Sequence, residues 1–342
     1  MTEHPPSTTP ASTPSPGPWR FCVAPMLDWT DRHYRFLARQ LSRHARLYTE
    51  MVTTGALLHG DVERHLYFDT SEHPVALQLG GSDPRALAEV ARIGAEWGYD
   101  EINLNVGCPS DRVQNGAFGA CLMAQPALVA ECVAAMRAAV DVPVTVKSRI
   151  GIDHQETFDE FREFVDIVAD QGGADAFIVH SRKAWLKGLS PKQNRDVPPL
   201  RPEFATRLKQ ERPDLTVVLN GGLTEVDAMR AALTEVDGVM VGRAAYQNVG
   251  LLADIDSALF DDGETADRLA ALRAYQDYVA AEIARGTRLP TLIKPILTLF
   301  QGRPGARAYR RHLSEQSPRR ADDPGVIDEA IELLRSGRSA GI

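Results

Sequence analysis

The chain has 342 residues, 44% of them apolar and 25% charged, the make-up of a globular protein long enough for one large core and a smaller one. Its net charge of −8 excludes a uniformly basic nucleic-acid binder, although binding depends on local patches more than on the total. No apolar run approaches a membrane span, and Cys22, Cys108, Cys121 and Cys132 form no C-x-x-C pair, so neither a membrane anchor, a structural zinc nor a redox dithiol is expected, and reduced thiols in the cytoplasm are.

Residues 1–18 are rich in Pro, Ser and Thr and lack a hydrophobic stretch, which predicts a disordered lead-in and no signal peptide. From about residue 20, short β-rich runs alternate with helical patterns. Phe21–Leu27 reads as strand one, followed by a helix over Asp31–Arg43 capped by Thr30. Arg46–Met51 is strand two. Pro74–Leu79 is strand three, with a helix over Asp83–Trp97 capped by Ser82 and started by Pro84. Glu101–Val106 is strand four, with the helix Pro126–Ala139. Pro143–Ile150 is strand five, followed by the helix Thr157–Gln171. Ala176–Ser181 is strand six, with a helix near Pro202–Glu211. Thr216–Asn220 is strand seven, followed by Glu225–Leu233, and Gly238–Val241 is strand eight.

Eight strands with intervening helices predict a (β/α)8 TIM barrel over residues 19–260. A doubly wound sheet is the alternative, and it would usually carry a Gly-rich turn after the first strand, which is absent. Beyond residue 260 the pattern becomes helical, at Thr265–Ala284, Thr291–Phe300, Ala306–Leu313 and Ile327–Ser336. This predicts a small C-terminal α-helical domain over 261–342.

In such a barrel the C-terminal strand ends face one site. They supply Pro25, Met26 and Leu27 after strand one, Gln78 in strand three, and Asn103, Asn105 and Cys108 from strand four. Strand five supplies Lys147 and Arg149, and strand six His180. Asn220, Gly221 and Gly222 follow strand seven, and Gly242 and Arg243 follow strand eight. Glycines after the last two strands allow close backbone approach to a phosphate, and Arg243 could add a charge-assisted contact. A lone Lys147 or His180 is more often structural. Together with the glycine turns they form a polar cup suited to flavin mononucleotide (FMN). Cys108, in a Gly-Cys-Pro turn at a strand end, is the catalytic candidate. Read as a small hydrophobe it would be ordinary, and Cys22, Cys121 and Cys132 keep that reading.

The segments Ala24-Pro-Met-Leu-Asp-Trp-Thr-Asp31, Leu104-Asn-Val-Gly-Cys-Pro-Ser110, Val146-Lys-Ser-Arg149, Ile178-Val-His-Ser-Arg-Lys183, Leu219-Asn-Gly-Gly222 and Val241-Gly-Arg243 resemble the tRNA-dihydrouridine synthases. The stretches 182–195 and 307–314 resemble the bacterial A-type subfamily. The likeness runs from about residue 20 to 335. It implies an FMN barrel with a helical tRNA-binding domain that reduces D-loop uridines, at U20 and U20a, with NADPH recharging the flavin.

By residue-wise match it implies flavin contacts at Pro25, Met26, Leu27, Gln78, Lys147, His180, Asn220, Gly221, Gly222, Gly242 and Arg243, and a proton donor at Cys108. A thiol with its ordinary pKa near 8.5 is mostly protonated at neutral pH and can donate. The likeness also implies a uridine contact at Asn105 and tRNA contacts at Lys192, Arg195, Arg307 and Arg310. Basic residues crowd the stretch 285–320, where Glu315 is the only acid. A barrel reducing a small pyrimidine or enone, and a tRNA-binding chaperone with vestigial catalysis, are the competing readings. A monomer without a metal is expected.

Overall fold

The computed structural model describes residues 17–110 and 116–339; the expected lead-in therefore lies almost wholly outside the described residues. Its strands are β1 (Phe21–Val23), β2 (Arg46–Tyr48), β3 (Val52–Thr53), β4 (Val75–Gly80), β5 (Glu101–Val106), β6 (Val144–Arg149), β7 (Phe177–His180), β8 (Val217–Asn220) and β9 (Gly238–Val241). All pairings are parallel, in the order β2-β1-β9-β8-β7-β6-β5-β4-β3, and β2 also pairs with β4. That last pairing closes the ring. β3 is not a ninth stave. Val52 and Thr53 pair with Leu79 and Gly80 of β4, further along the edge on which Leu47 and Tyr48 pair with Val75 and Ala76. The barrel has eight staves, as the alternation predicted.

Several boundaries differ from expectation, each for a local reason. Strand one stops at Val23. Met26 donates its N–H to the Thr30 hydroxyl (2.9 Å), and its carbonyl accepts from Trp29 and Thr30, so Pro25–Leu27 lie in a turn. Thr30 is thereby spent on that turn, and Asp31 caps the Arg32–Leu41 helix by accepting from Tyr34 N–H (2.8 Å). Asp83, not Ser82, caps Pro84–Trp97, because its carboxylate reaches Ala86 N–H (2.8 Å). Strand two breaks after Tyr48, and its continuation is β3. Two short helices, Thr54–His59 and Val62–Leu66, were not foreseen. In the tail, the helix expected over 291–300 is divided by Pro295 into Leu289–Leu292 and a single turn at Pro295–Thr298.

Alternation along each strand sorts the side chains. On β5, Ile102, Leu104 and Val106 pack outward against helices, while Glu101, Asn103 and Asn105 lie inside the barrel. Cys22, Ala24, Tyr48, Ala76, Ile178, Val218 and Met240 share the interior with Trp19. At the N-terminal end of the barrel, Glu101 is fully buried. Its carboxylate accepts from Trp19 Nε1 (2.8 Å), Arg46 Nη1 (3.1 Å), Tyr48 OH (2.7 Å) and the Thr145 hydroxyl. Gly238 is required beside this floor, since a Cβ there would lie 2.0 Å from the Trp19 carbonyl oxygen.

The tail helices Arg268–Ala284, Ala306–Gln316 and Gly325–Ser339 do not stand apart from the barrel. Leu272, Tyr275, Leu292, Tyr309 and Leu334 share one buried cluster with Phe21, Val23, Tyr34, Leu37 and Val241. Glu282, fully buried, adds an ion pair across the seam to Arg32 (2.6 Å). No described helix is long and apolar enough to cross a membrane. A chain ending at Asp261 would expose the barrel half of this core, worth roughly 1.5–3 kcal/mol for each large side chain uncovered. Such a truncation is expected to be insoluble or to lack a cooperative melt, as followed by circular dichroism; a melt matching the full chain would contradict the shared core.

Candidate active site

Strand register brings the polar residues together at the C-terminal mouth. Asn105 is paired with Lys147, Arg149 with His180, and His180 with Asn220. Lys147 and Arg149 are two residues apart on β6 and so point to the same face. Gly221 (φ 115°) and Gly222 (φ 75°) adopt left-handed backbone that only glycine takes without strain. Leu200 roofs them so closely that a Cβ at Gly222 would lie 2.8 Å from its Cδ1. Met26 borders Gly242, with its sulfur 3.8 Å from where a Cβ would be. Pro25 and Met26 are half-buried, and Leu27 is 67% exposed.

Cys108 sits just beyond β5 and is half-buried. Its backbone is held from three sides. Asn105 Oδ1 accepts from the N–H groups of Cys108 (3.0 Å) and Gly107 (3.2 Å). The Cys108 carbonyl accepts from Ala120 N–H (2.9 Å). Arg149 Nε donates to the Gly107 carbonyl (2.9 Å), and its Nη1 donates to the carbonyls of Lys183 (3.0 Å) and Asn194 (2.9 Å). The thiol itself lies 3.5 Å from Ser110 Oγ. Arg149 thus ties the cysteine turn to the loop after β7. Its place on strand five was legible, but its clamping role was not. The Lys-x-Arg alternation was the available signal.

The cup is strongly cationic. Lys147, Arg149, Arg182, Arg195 and Arg243 act on one another or on His180, with Asp196 as the acid among them. Burial, then the neighbouring Arg149, lowers Lys147 to about 7, and Cys108 opposes the shift. Burial also lowers Arg149 to about 10. His180 is held well below its ordinary value, first by burial and then by Arg149, Lys147, Arg182 and Arg243, so it is neutral at pH 7. Both Lys147 and His180 remain partly open to solvent through the mouth, which tempers the energetic size of these shifts. Arg243 rests on Asp196 (2.8 Å), an exposed pair that a stronger anion could replace.

The donor set fits a flavin nucleotide. Its glycine turns and Arg243 would suit a phosphate, and a lysine short of counter-charge would suit an electron-rich ring. Gln78 is buried, 1% exposed, with its amide engaged by Asn105 and Asn103. Lys192 is exposed at the turn Gln193–Arg195, and Arg195 is close enough to feel both Arg243 and Cys108. Arg307 and Arg310 are not brought to the cup. They lie on the exposed face of the Ala306–Gln316 helix, and neither they, nor Arg311 on the same helix, nor Arg303 in the turn before it form an ion pair among the described residues. Arg285 and Arg320, by contrast, are engaged by Glu282 and by Asp323 and Glu329.

Comparison with known protein families matches residues 22–332 to the family described as Dihydrouridine synthase (Dus). Among curated proteins, the chain is 53% identical to the tRNA-dihydrouridine(20/20a) synthase of Shigella flexneri over 320 residues, covering 93% of this chain and 94% of that one. It is 52% identical to the protein of the same name from Yersinia pestis over 96% of this chain and 95% of that one. The corresponding figures for Vibrio cholerae are 51%, 92% and 96%.

The Lys147 shift fixes a pH dependence. A folded-state value below that of the unfolded chain means that the unfolded state binds more protons between about pH 7 and 10.5. The charge therefore opposes folding fully below pH 7, and stability rises as pH climbs through that window. Lys147→Met is expected to stabilise the flavin-free protein by about 1–2 kcal/mol at pH 6.5, allowing for solvent at the mouth. The gain should shrink towards pH 10 in urea titrations; a gain independent of pH would rule out a buried charge as its source.

Proposed function

The chain belongs to the dihydrouridine synthase family, and from that premise we propose that it reduces the C5–C6 double bond of tRNA D-loop uridines at positions 20 and 20a, using FMN and NADPH. The observation that carries this reading is Cys108, held on three sides beside a cationic cup suited to a flavin nucleotide. A bound flavin supplies hydride to uracil C6.

The protein's part is to hold the groups and to move one proton. Pro25, Met26, Leu27, Gln78, Lys147, His180, Asn220, Gly221, Gly222, Gly242 and Arg243 bind the cofactor. Gly221, Gly222, Gly242 and Arg243 take the phosphate, with Arg243 exchanging Asp196 for it. Lys147 meets the electron-rich side of the ring. An anion there restores its proton, which burial and Arg149 otherwise weaken. Neutral His180 can hydrogen-bond without adding charge to the crowd of guanidinium groups. Cys108 donates a proton from Sγ to uracil C5, and Asn105 offers the base the Nδ2–H that it does not give to Gln78.

RNA enters through local charge on an acidic protein. Lys192 and Arg195 flank the mouth, while Arg307 and Arg310 give residues 261–342 an exposed basic face beside the barrel of 19–260. Each exposed arginine lacking a carboxylate partner can release counterions from a phosphate. The target uridine must leave its stack to reach the cup. We place the enzyme in the cytoplasm with its tRNA. A barrel for small pyrimidines would have no use for the basic helix. A binding protein without chemistry would have no use for the lysine held at the mouth.

Two outcomes follow. Cys108→Ala is expected to keep FMN and tRNA binding while turnover falls ~10²–10⁴-fold. Mass spectrometry of D-loop fragments should show target uridines gaining two hydrogens with the wild type and NADPH; unchanged uridines would sink the assignment. Replacing Arg307 and Arg310 by Ala should weaken tRNA binding and flatten its log–log salt dependence by roughly 0.7–0.9 per lost phosphate contact, leaving the FMN affinity as it was.

A further inference from the structure

The interior of the barrel holds a continuous chain of polar side chains that joins its floor to the cysteine turn. Asn105 Nδ2 donates to Gln78 Oε1 (2.8 Å). Gln78 Nε2 donates to Asn103 Oδ1 (2.7 Å), and Asn103 Nδ2 donates to Thr145 Oγ1 (2.8 Å). The Thr145 hydroxyl donates to Glu101 Oε1. All five residues are buried, with Glu101, Asn103 and Thr145 at 0% exposure.

The chain has one chemically allowed direction. Trp19 Nε1 and Arg46 can only donate, and the Glu101 carboxylate paired with that guanidinium can only accept. Thr145 must therefore give its proton to Glu101 and accept from an N–H of Asn103. The Asn103 oxygen then faces Gln78, the Gln78 oxygen faces Asn105, and the Asn105 oxygen is turned outward. There it accepts the N–H groups of Gly107 and Cys108. Reversing any one amide would set donor against donor at one of its ends and acceptor against acceptor at the other, each buried mismatch costing about as much as a lost hydrogen bond.

We propose that Glu101 and Thr145 are positioning residues, which fix the orientation of the Gln78, Asn103 and Asn105 amides and so hold the Cys108 turn in place from the opposite end of the barrel. The consequence for turnover rests on Cys108 being the proton donor; the structural relay does not. Glu101→Gln supplies an N–H where only acceptors were tolerated, which allows the chain to reverse and sets the Asn105 amide donors against Gly107 and Cys108.

The test is amide hydrogen exchange over residues 105–110, read beside kcat and KM for tRNA. Thr145→Val removes the hydroxyl but leaves Glu101 its three other donors. It is expected to speed exchange at Gly107 and Cys108 about tenfold or more. It should also lower kcat ~10–100-fold with little change in KM, because a small misplacement of the acid is costly. Thr145→Ser retains the hydroxyl and should restore both readouts. Asn103→Leu breaks the chain without touching Glu101 and gives the same signature if Thr145→Val does not fold. Thr145→Val added to Glu101→Gln should cause no further change at Gly107 and Cys108, since the relay is already broken. Folded Thr145→Val or Asn103→Leu protein with wild-type exchange at Gly107 and Cys108 overturns the relay. Faster exchange with unchanged kcat leaves the relay standing and overturns the role of Cys108 as acid.

Discussion

A carboxylate at the floor of a closed barrel is tolerable only if its lone pairs meet donors, because an unpaired buried charge costs several kcal/mol. Glu101 is such a group, and much of the architecture answers to it. Trp19 must enter from the segment before β1, which demands Gly238 opposite. Arg46 must begin β2, and Tyr48 must follow on the same face. Thr145 must face inward on β6, which puts Lys147 and Arg149 inward as well. The register that satisfies one anion at the bottom also sets which side chains of β6 reach the mouth.

The two ends of the barrel carry opposite electrostatic problems. The bottom neutralises its charge internally. The mouth does not, since Lys147, Arg149, Arg182, Arg195 and Arg243 crowd His180 with Asp196 as their acidic neighbour. Burial and mutual repulsion leave those cations less well satisfied than they would be in water. A site of this kind trades stability for affinity, and an anionic ligand relieves repulsion as well as making contacts.

The barrel was legible because parallel strands between helices are apolar runs of fixed length, bounded by turn residues. The inward residues of Glu101-Ile-Asn-Leu-Asn-Val106 stood out as polar letters in an apolar word. Their function as a directed chain did not, because it depends on Gln78 and Thr145 from other strands. Cap positions were misplaced by one residue where a hydroxyl and a carboxylate adjoin: Asp31 and Asp83 reach the helix, and Thr30 has a prior engagement with Met26. The pairing of Arg243 with Asp196 had no local signature, since the two are far apart in the chain. The tail was read as helical from its periodicity, but periodicity shows that a face is apolar without naming what it packs on. That Tyr275 and Leu334 join one core with Phe21 and Val23 is information that only the fold contains.

The shared core also bears on how the chain is made. Synthesis runs from β1 to the tail, yet β1 pairs with β9, some two hundred residues later. Until β9 has left the ribosome the ring cannot shut, and until the helix at 268–284 has followed, the Arg32–Leu41 helix lacks part of its cover. The first strand made is among the last regions to be sealed. A nascent chain of this protein therefore carries an open, apolar strand edge for most of its translation, the condition in which chaperones are needed and in which a stalled ribosome releases a fragment prone to aggregate.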